Sequence, residues 1–231
     1  MSEPSIDGAV RPNLLVACVG TATEVGKTWV GAQVVESLRH RSIDVAARKP
    51  AESFAGHGHD PLDSTVLAHA SGEPIDHVTP PHRRYGVALA PPMAAKQLGL
   101  PPPLLGALLS ELTWPRGCRV GWLETVGGPR SPIGSDGDAV TVAGHLDPDL
   151  VLLVADAGLG TVNAVLVSLA PFEGRRVLVV LNRFDPENDL HARNRAWLTD
   201  RHHLDVVTNA DDVADHVTVL LTSRPSDCRR Q

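Results

Sequence analysis

Gly20-Thr21-Ala22-Thr23-Glu24-Val25-Gly26-Lys27-Thr28 is the stretch on which the reading of this chain turns. Residues 13–19 before it form a short apolar run, and residues 27–41 after it carry Val30, Val34, Val35 and Leu38 at helical spacing. A strand that breaks into a glycine-bounded loop and re-enters as a helix makes a cradle for phosphate. Glycines let the backbone turn so that its N–H groups converge, and the helix N-terminus adds partial positive charge. Thr23, Glu24, Val25 and Gly26 supply that backbone. Lys27 is the ammonium expected at the β- and γ-phosphates of a nucleoside triphosphate, and Thr28 the hydroxyl expected on Mg²⁺. Five residues separate Gly20 from Gly26, one more than the usual four. The rival reading is an ordinary glycine-rich turn, against which stand the adjacent Lys-Thr and the flanking elements.

Working outward, residues 43–47 read as a second strand ending at Lys49-Pro50, which completes a βαβ unit of a parallel sheet. A short helix is expected over 63–70, closed by Gly72. Proline-rich 74–103 reads as irregular apart from a helix near 92–98, followed by a helix over 104–112. Residues 120–124 form a strand running into the turn Gly127-Gly128-Pro129. Residues 150–155 and 177–181 are continuous apolar runs, as in strands buried on both faces. Helices are expected over 163–169, 193–202 and 213–221, with a last short strand at 204–207. The expectation is one α/β domain of the P-loop type over 13–222, a mainly parallel twisted sheet with helices on both faces. Residues 1–12 and 223–231 are expected to be flexible tails.

Composition narrows the partners. A net charge of −6 argues against sequence-independent nucleic-acid binding. No apolar stretch is long enough for a membrane span, and the N-terminus lacks a secretory layout, so a cytoplasmic protein is expected. Cys18, Cys118 and Cys228 are too far apart for a metal pair and read as reduced thiols. The group His57, His59 and His69 has no second cluster at ligand spacing and does not make a metal site. Lysine occurs only at Lys27, Lys49 and Lys96, and arginine does not substitute where a compact ammonium is needed.

In order and spacing, roughly residues 13–184 resemble the ATP-dependent dethiobiotin synthetase family, of the P-loop, SIMIBI type. The resemblance is carried by Gly-Thr-x-Thr-Glu-Val-Gly-Lys-Thr, by Lys49-Pro50-x-x-Ser53, and by residues 89–95 against the family's (S/A)-P-H-x-A-A. It continues through Glu124 with Gly127-Gly128, Leu159-Gly160-Thr161-Val162-Asn163, and Leu181-Asn182. The phosphate loop and the 159–163 segment are the specific motifs. Thr125-Val126 stand where the family has Gly-Ala, which predicts a restricted approach to the nucleotide. Met93 follows Pro92 where the family has histidine, and the family's base-bordering Gly-x-(I/L)-Pro is not recognisable in 204–210.

This resemblance implies ATP-dependent closure of the ureido ring of dethiobiotin from 7,8-diaminononanoate and CO₂, through a carbamate and its mixed phosphoric anhydride. ATP is then a co-substrate and Mg²⁺ the cofactor. It implies Lys27 and Lys49 as the catalytic cations. Nucleotide contacts fall to residues 23–28, Glu124, Gly127 and, toward the base, Asn182. Ser53 would hold the carbamate. Leu159, Gly160, Thr161 and Asn163 would receive the substrate's carboxylate across a homodimer interface. Thr28, Asp63 and Glu124 would hold the metal, with Asp60 an alternative to Asp63, which as a helix-first residue could instead be a cap. Two other functions stay open at this point: a divergent nucleotide-binding paralogue with a regulatory or scaffolding role, and a related ATP-dependent ligase with another substrate.

Overall fold

Strand β1 (Leu14–Gly20) lies between two parallel neighbours that are both remote in sequence, and its carboxyl end delivers the phosphate loop to the middle of the sheet. The computed structural model describes residues 11–55 and 61–223. After β1 come α1 (Lys27–His40), β2 (Val45–Arg48), β3 (Glu52–Ser53), α2 (Asp63–Ser71), α3 (Ile75–Val78), β4 (Arg84–Tyr85), α4 (Pro91–Gln97) and α5 (Leu105–Ser110). The chain continues through β5 (Val120–Glu124), β6 (Pro132–Gly134), β7 (Gly137–Asp138), α6 (Ala139–Leu146), β8 (Leu150–Asp156) and α7 (Thr161–Leu169). It ends with β9 (Val177–Asn182), α8 (Asp189–Ala196), β10 (Val206–Val207) and α9 (Ala210–Thr222).

The main sheet has six strands in the order β10-β9-β8-β1-β5-β2, all parallel. Successive side chains of a strand point to opposite faces. Leu14, Val16 and Cys18 of β1, with Trp122, Leu152 and Val180, therefore pack beneath α1, α2 and α9 through Val34, Leu38, Leu67, Val213 and Val217. On the other face Val151, Leu153, Val179 and Leu181 meet Ala143 of α6 and Val165 of α7. Beside them Leu15 and Leu123 meet Ala94, Ala95 and Leu108 of α4 and α5. Helices cover both faces, as the unbroken apolar runs require. Truncating a fully buried strand residue such as Leu152 to alanine removes contacts on a rigid face, at a cost of about 2–5 kcal/mol.

The edge strand β2 is closed by a side chain. Glu73, beyond α2, accepts the Ala47 N–H at 2.8 Å and pairs with Arg48 Nη1 at 2.9 Å. The Arg48 guanidinium also stacks 5.2 Å from the Trp114 ring centroid.

Several expected elements shift. The helix expected from 163 begins at Thr161 and that of 213–221 at Ala210, since the Asn209 side chain caps the latter by accepting Asp212 N–H at 2.8 Å. The 193–202 helix starts earlier, at Asp189, and changes to a π-helical turn at Trp197–Arg201. The strand at 204–207 shortens to Val206–Val207. The stretch read as irregular contains α3 and β4, the latter pairing with β3. Helix α6 was not expected. Its capping box pairs Asp138 with Thr141, without the Glu or Gln that usually marks that signature. Arg11, in the expected tail, donates to the Leu146 and Asp147 carbonyls at 3.0 and 2.7 Å.

Candidate active site

The carboxyl ends of β1, β2 and β5 are adjacent, and each delivers one part of a single polar cluster. Ligand sites in open parallel sheets gather at such ends. Gly26, at the start of α1, has φ +89°, and a Cβ there would lie 2.1 Å from Asn182 Nδ2. Only glycine meets both conditions. Gly127 (φ +54°) is equally constrained, since a Cβ would meet Ser131 Oγ at 2.2 Å. The loop is pinned from β9: Asn182 Nδ2 donates to the Val25 carbonyl at 2.9 Å, and Arg183 Nη2 to the Glu24 carbonyl at 2.9 Å.

Lys27 is buried and folds back over its own loop, with Nζ donating to the Ala22 carbonyl at 3.1 Å. Burial pushes its pKa below the ordinary value, against the pull of Glu124. Lys49, from the end of β2, is likewise buried. Its Nζ donates to Glu124 Oε1 and to Asp63 Oδ2, both at 2.6 Å. Burial opposes the Lys49 charge, but the two carboxylates outweigh it and raise the pKa above the ordinary lysine value. Thr28 Oγ1 donates to the same Glu124 oxygen at 2.8 Å. Glu124 is fully buried, and its second oxygen, Oε2, has no hydrogen-bond partner in the protein. Asp63 is half open to solvent. Burial works against its ionisation, and Lys49 prevails, holding the carboxyl below the usual range. Asp63 opens α2 without capping it, because the N-cap position is Leu62 and no side-chain cap bond forms.

The cluster lines a cleft of about 700 Å³ that also includes Thr23, Glu24, Ser53, Leu89, Val126, Gly127 and Arg183. Ser53 Oγ donates to the Leu89 carbonyl at the cleft wall. A second cleft, of about 650 Å³, meets the first at Gly26 and Arg183 and is bordered by Trp29, Asn182, Phe184 and Asn209.

Thr23, Glu24, Gly26, Lys27, Thr28, Lys49, Ser53, Asp63 and Gly127 thus line the first cleft, with Glu124 bonded beneath them and Asn182 on the second. Leu159, Gly160, Thr161 and Asn163 do not line the first cleft of their own chain. Leu159 is 91% exposed, whereas the Thr161 hydroxyl is buried without a hydrogen-bond partner. Asp60, His57 and His59 lie outside the described residues, as does Cys228. Among the described residues no three His, Cys, Asp or Glu side chains group as a metal site. Thr125 does not face the cleft: its hydroxyl donates to the Cys18 carbonyl at 3.0 Å, and Val126 alone of that pair lines the space. Burial pushes the Cys18 thiol well above its ordinary pKa, leaving it inert beside the cluster.

Sequence reasoning missed Arg183 and Ser131. Arg183 follows Asn182 at a strand end, which is the signal that could have found it. Its φ of +57°, rare for a residue with a side chain, is visible only in the structure. Among the described residues no helix is long and apolar enough to cross a membrane.

Comparison with known proteins places the chain among P-loop relatives. A family described as "AAA domain" matches residues 14–215. The ATP-dependent dethiobiotin synthetase BioD of Anaeromyxobacter dehalogenans (strain 2CP-C) is 33% identical over 211 residues, covering 87% of this chain and 92% of the relative. Among solved structures, the signal recognition particle receptor FtsY from Elizabethkingia anophelis aligns with a TM-score of 0.53 at 14% identity, over 92% of this chain and 66% of that one. The MinC:MinD cell division protein complex of Aquifex aeolicus aligns with a TM-score of 0.52 at 11% identity, over 94% and 98%. At those identities the two structures attest the fold alone. Identity of one residue in three along nearly the full length of a relative, on a sheet with its phosphate loop in the expected place, makes this chain a member of the ATP-dependent dethiobiotin synthetase family.

Proposed function

We propose that the chain is an ATP- and Mg²⁺-dependent dethiobiotin synthetase, closing the ureido ring on 7,8-diaminononanoate and CO₂. The observation that carries this reading is the buried Lys49 ammonium beside the phosphate loop, on two carboxylates. Nucleotide binding alone is served by backbone amides and Lys27 and does not call for a second buried lysine.

The residues present fit a hard divalent cation. Glu124 Oε2 is a buried carboxylate oxygen without a partner, Thr28 carries a hydroxyl on the other oxygen of the same carboxylate, and Asp63 is the third oxygen donor. Few protein ligands suffice where triphosphate oxygens complete the shell. When bound, Mg²⁺ supplies charge neutralisation at the transferring phosphoryl group.

Chain residues carry the remaining work. Amides of residues 23–28 hold the phosphates, and Lys27 leaves the Ala22 carbonyl to meet them. Lys49 offsets the repulsion between the carbamate of the diamine and the triphosphate, two anions that must meet in a partly dry site. Ser53 orients the carbamate from the cleft wall. The second amine then displaces phosphate and closes the ring. The second cleft, at Asn182, takes the base. The exposed segment at Leu159 and Gly160, with the unpartnered Thr161 hydroxyl behind it and Asn163 on the same turn, takes the substrate carboxylate of a partner subunit's site in a homodimer. Support for that arrangement is the segment's exposure and its position off its own chain's cleft.

The test is direct: purified protein with diaminononanoate, bicarbonate, Mg²⁺ and ATP, read by mass for dethiobiotin. Formation of dethiobiotin with stoichiometric ADP is expected. ATP binding without any diamine-stimulated phosphate release would sink the reading.

A further inference from the structure

Arg183 is not used by the chemistry above, yet its side chain bridges the phosphate loop and Asp156, the residue just before the 157–161 segment. Its guanidinium is bonded in two directions. Nη2 donates to the Glu24 carbonyl of the phosphate loop at 2.9 Å, and Nη1 meets Asp156 Oδ2 at 2.7 Å. Asp156 is the last residue of β8, directly opposite Asn182 in the ladder, and its other oxygen accepts the Gly158 N–H at 2.9 Å. Gly158 opens the stretch that leads into α7. Asn194 of α8 grips the same stretch, donating to the Ala157 and Gly158 carbonyls at 3.0 Å each. A planar fork with fixed donor directions suits this double duty in a way an ammonium does not.

Backbone conformation at both ends of the Arg183–Glu24 bond points the same way. Glu24 has φ +60° and Arg183 φ +57°, left-handed values that disfavour any residue with a Cβ. Such residues persist where surrounding structure holds them, and they gather at functional sites. Here the two are joined by the exposed Arg183 side chain, which donates to the Glu24 carbonyl. Arg183 also lines both clefts, so the bond sits where triphosphate and base regions meet.

We infer that Arg183 is a positioning residue that couples nucleotide binding at its own phosphate loop to binding of the substrate carboxylate of the partner subunit's site at residues 159–163, through Glu24 on one side and, on the other, Asp156 and the 157–158 turn that leads into that segment. The inference rests on the function proposed above for its two ligands. The physical reason is shared restraint. Triphosphate fixes the loop amides, and with them the Glu24 carbonyl. That fixes the guanidinium, then Asp156 and the Gly158 N–H it accepts, so the second ligand has less left to order. Linkage makes the effect reciprocal: diamine must tighten nucleotide by the same factor.

Calorimetry on the full chain tests this. The Kd of diaminononanoate is measured with and without a saturating non-hydrolysable ATP analogue and Mg²⁺, and the analogue's Kd with and without the diamine. In wild type each ligand should tighten the other by about fivefold or more, the lower end of typical couplings. In Arg183→Met both ligands should still bind singly, with the ratio collapsing to near one. Asp156→Asn should give the same collapse without altering the guanidinium, and Arg183→Lys should recover only part of the ratio. A merely structural arginine would weaken each ligand alone and leave the ratio intact, and that result overturns the inference. A wild-type ratio near one, with both ligands bound, overturns it alone. A wild-type chain that binds the analogue but no diamine sinks the ring-closure reading and this inference with it.

Discussion

Lys49 Nζ and Glu124 Oε1 stand 2.6 Å apart at the ends of neighbouring parallel strands, both side chains sealed from solvent. Two charges in such a place are tolerable only together. Removing one partner of a buried pair costs about 3–5 kcal/mol, because the other is left charged and unpaired. Lys49→Met should therefore lower unfolding free energy on that scale in a urea titration, with the double variant Lys49→Met/Glu124→Gln partly restored. Equal stability of wild type and Lys49→Met would mean that the pair is not buried as described.

The same lysine separates a synthetase from a nucleotide-binding paralogue. Lys49→Gln keeps a hydrogen-bond donor but loses the charge. ATP affinity should stay within a few-fold of wild type, while diamine-dependent phosphate release drops on the order of 10²-fold or more, as for one lost electrostatic stabiliser. Unchanged release in that variant would remove Lys49 from the mechanism.

Lys27→Ala should abolish tight ATP binding, with the circular-dichroism spectrum unchanged. Burial lowers the Lys27 pKa while Glu124 and Asp63 raise that of Lys49, so Lys27 is the ammonium that deprotonates first as pH rises. Wild-type ATP affinity should accordingly weaken on the alkaline side from below the ordinary lysine value of 10.5. Retained affinity in Lys27→Ala by calorimetry would refute the loop's assignment.

Asp63 gives a pH dependence of stability with a definite sign. Its folded pKa lies below the unfolded one, so its contribution is present above the ordinary value of 3.8 and is lost as pH falls through the folded value. Lys49 is the opposite case: a raised folded pKa, with stability complete below 10.5 and lost only as pH climbs through the folded value. Asp63→Asn should flatten the acid limb of a stability-against-pH curve and, by removing one of the two carboxylates that raise the Lys49 pKa, bring the alkaline limb to lower pH. An acid limb as steep as in wild type would show that Asp63 is not paired.

The metal reading predicts that Glu124→Gln and Asp63→Asn each cut activity steeply, with partial recovery at raised Mg²⁺. Half-exposed Asp63 should recover more than sealed Glu124, because water can stand in for it. Loss of activity in Asp60→Asn but not in Asp63→Asn would move the ligand to Asp60.

Much of this arrangement is legible in the sequence. Gly20 to Thr28 marked the central βα turn because its chemistry is local, and residues 150–155 and 177–181 marked buried strands because their apolar runs are unbroken. What escaped depends on partners far along the chain. Asp138 and Thr141 cap α6 mutually, without the usual glutamate. Thr125 looked obstructive as a β-branched residue, yet its hydroxyl turns onto the Cys18 carbonyl, 107 positions away. The spacing of Arg183 says nothing of Asp156 or Glu24, since the bridge exists only once β8 and β9 lie side by side. Legibility failed where side-chain direction, and not residue type, decides the role.

The carboxylate of Glu73 on the Ala47 N–H has a consequence for self-association. An open strand margin is a template onto which another chain can add its own strand. At β2 one outward donor is already taken by Glu73, and Arg48 is tied to the same carboxylate, so docking there would have to strip a charged group from its partners. Copies of this chain are thereby steered away from extending one another's sheets along that margin.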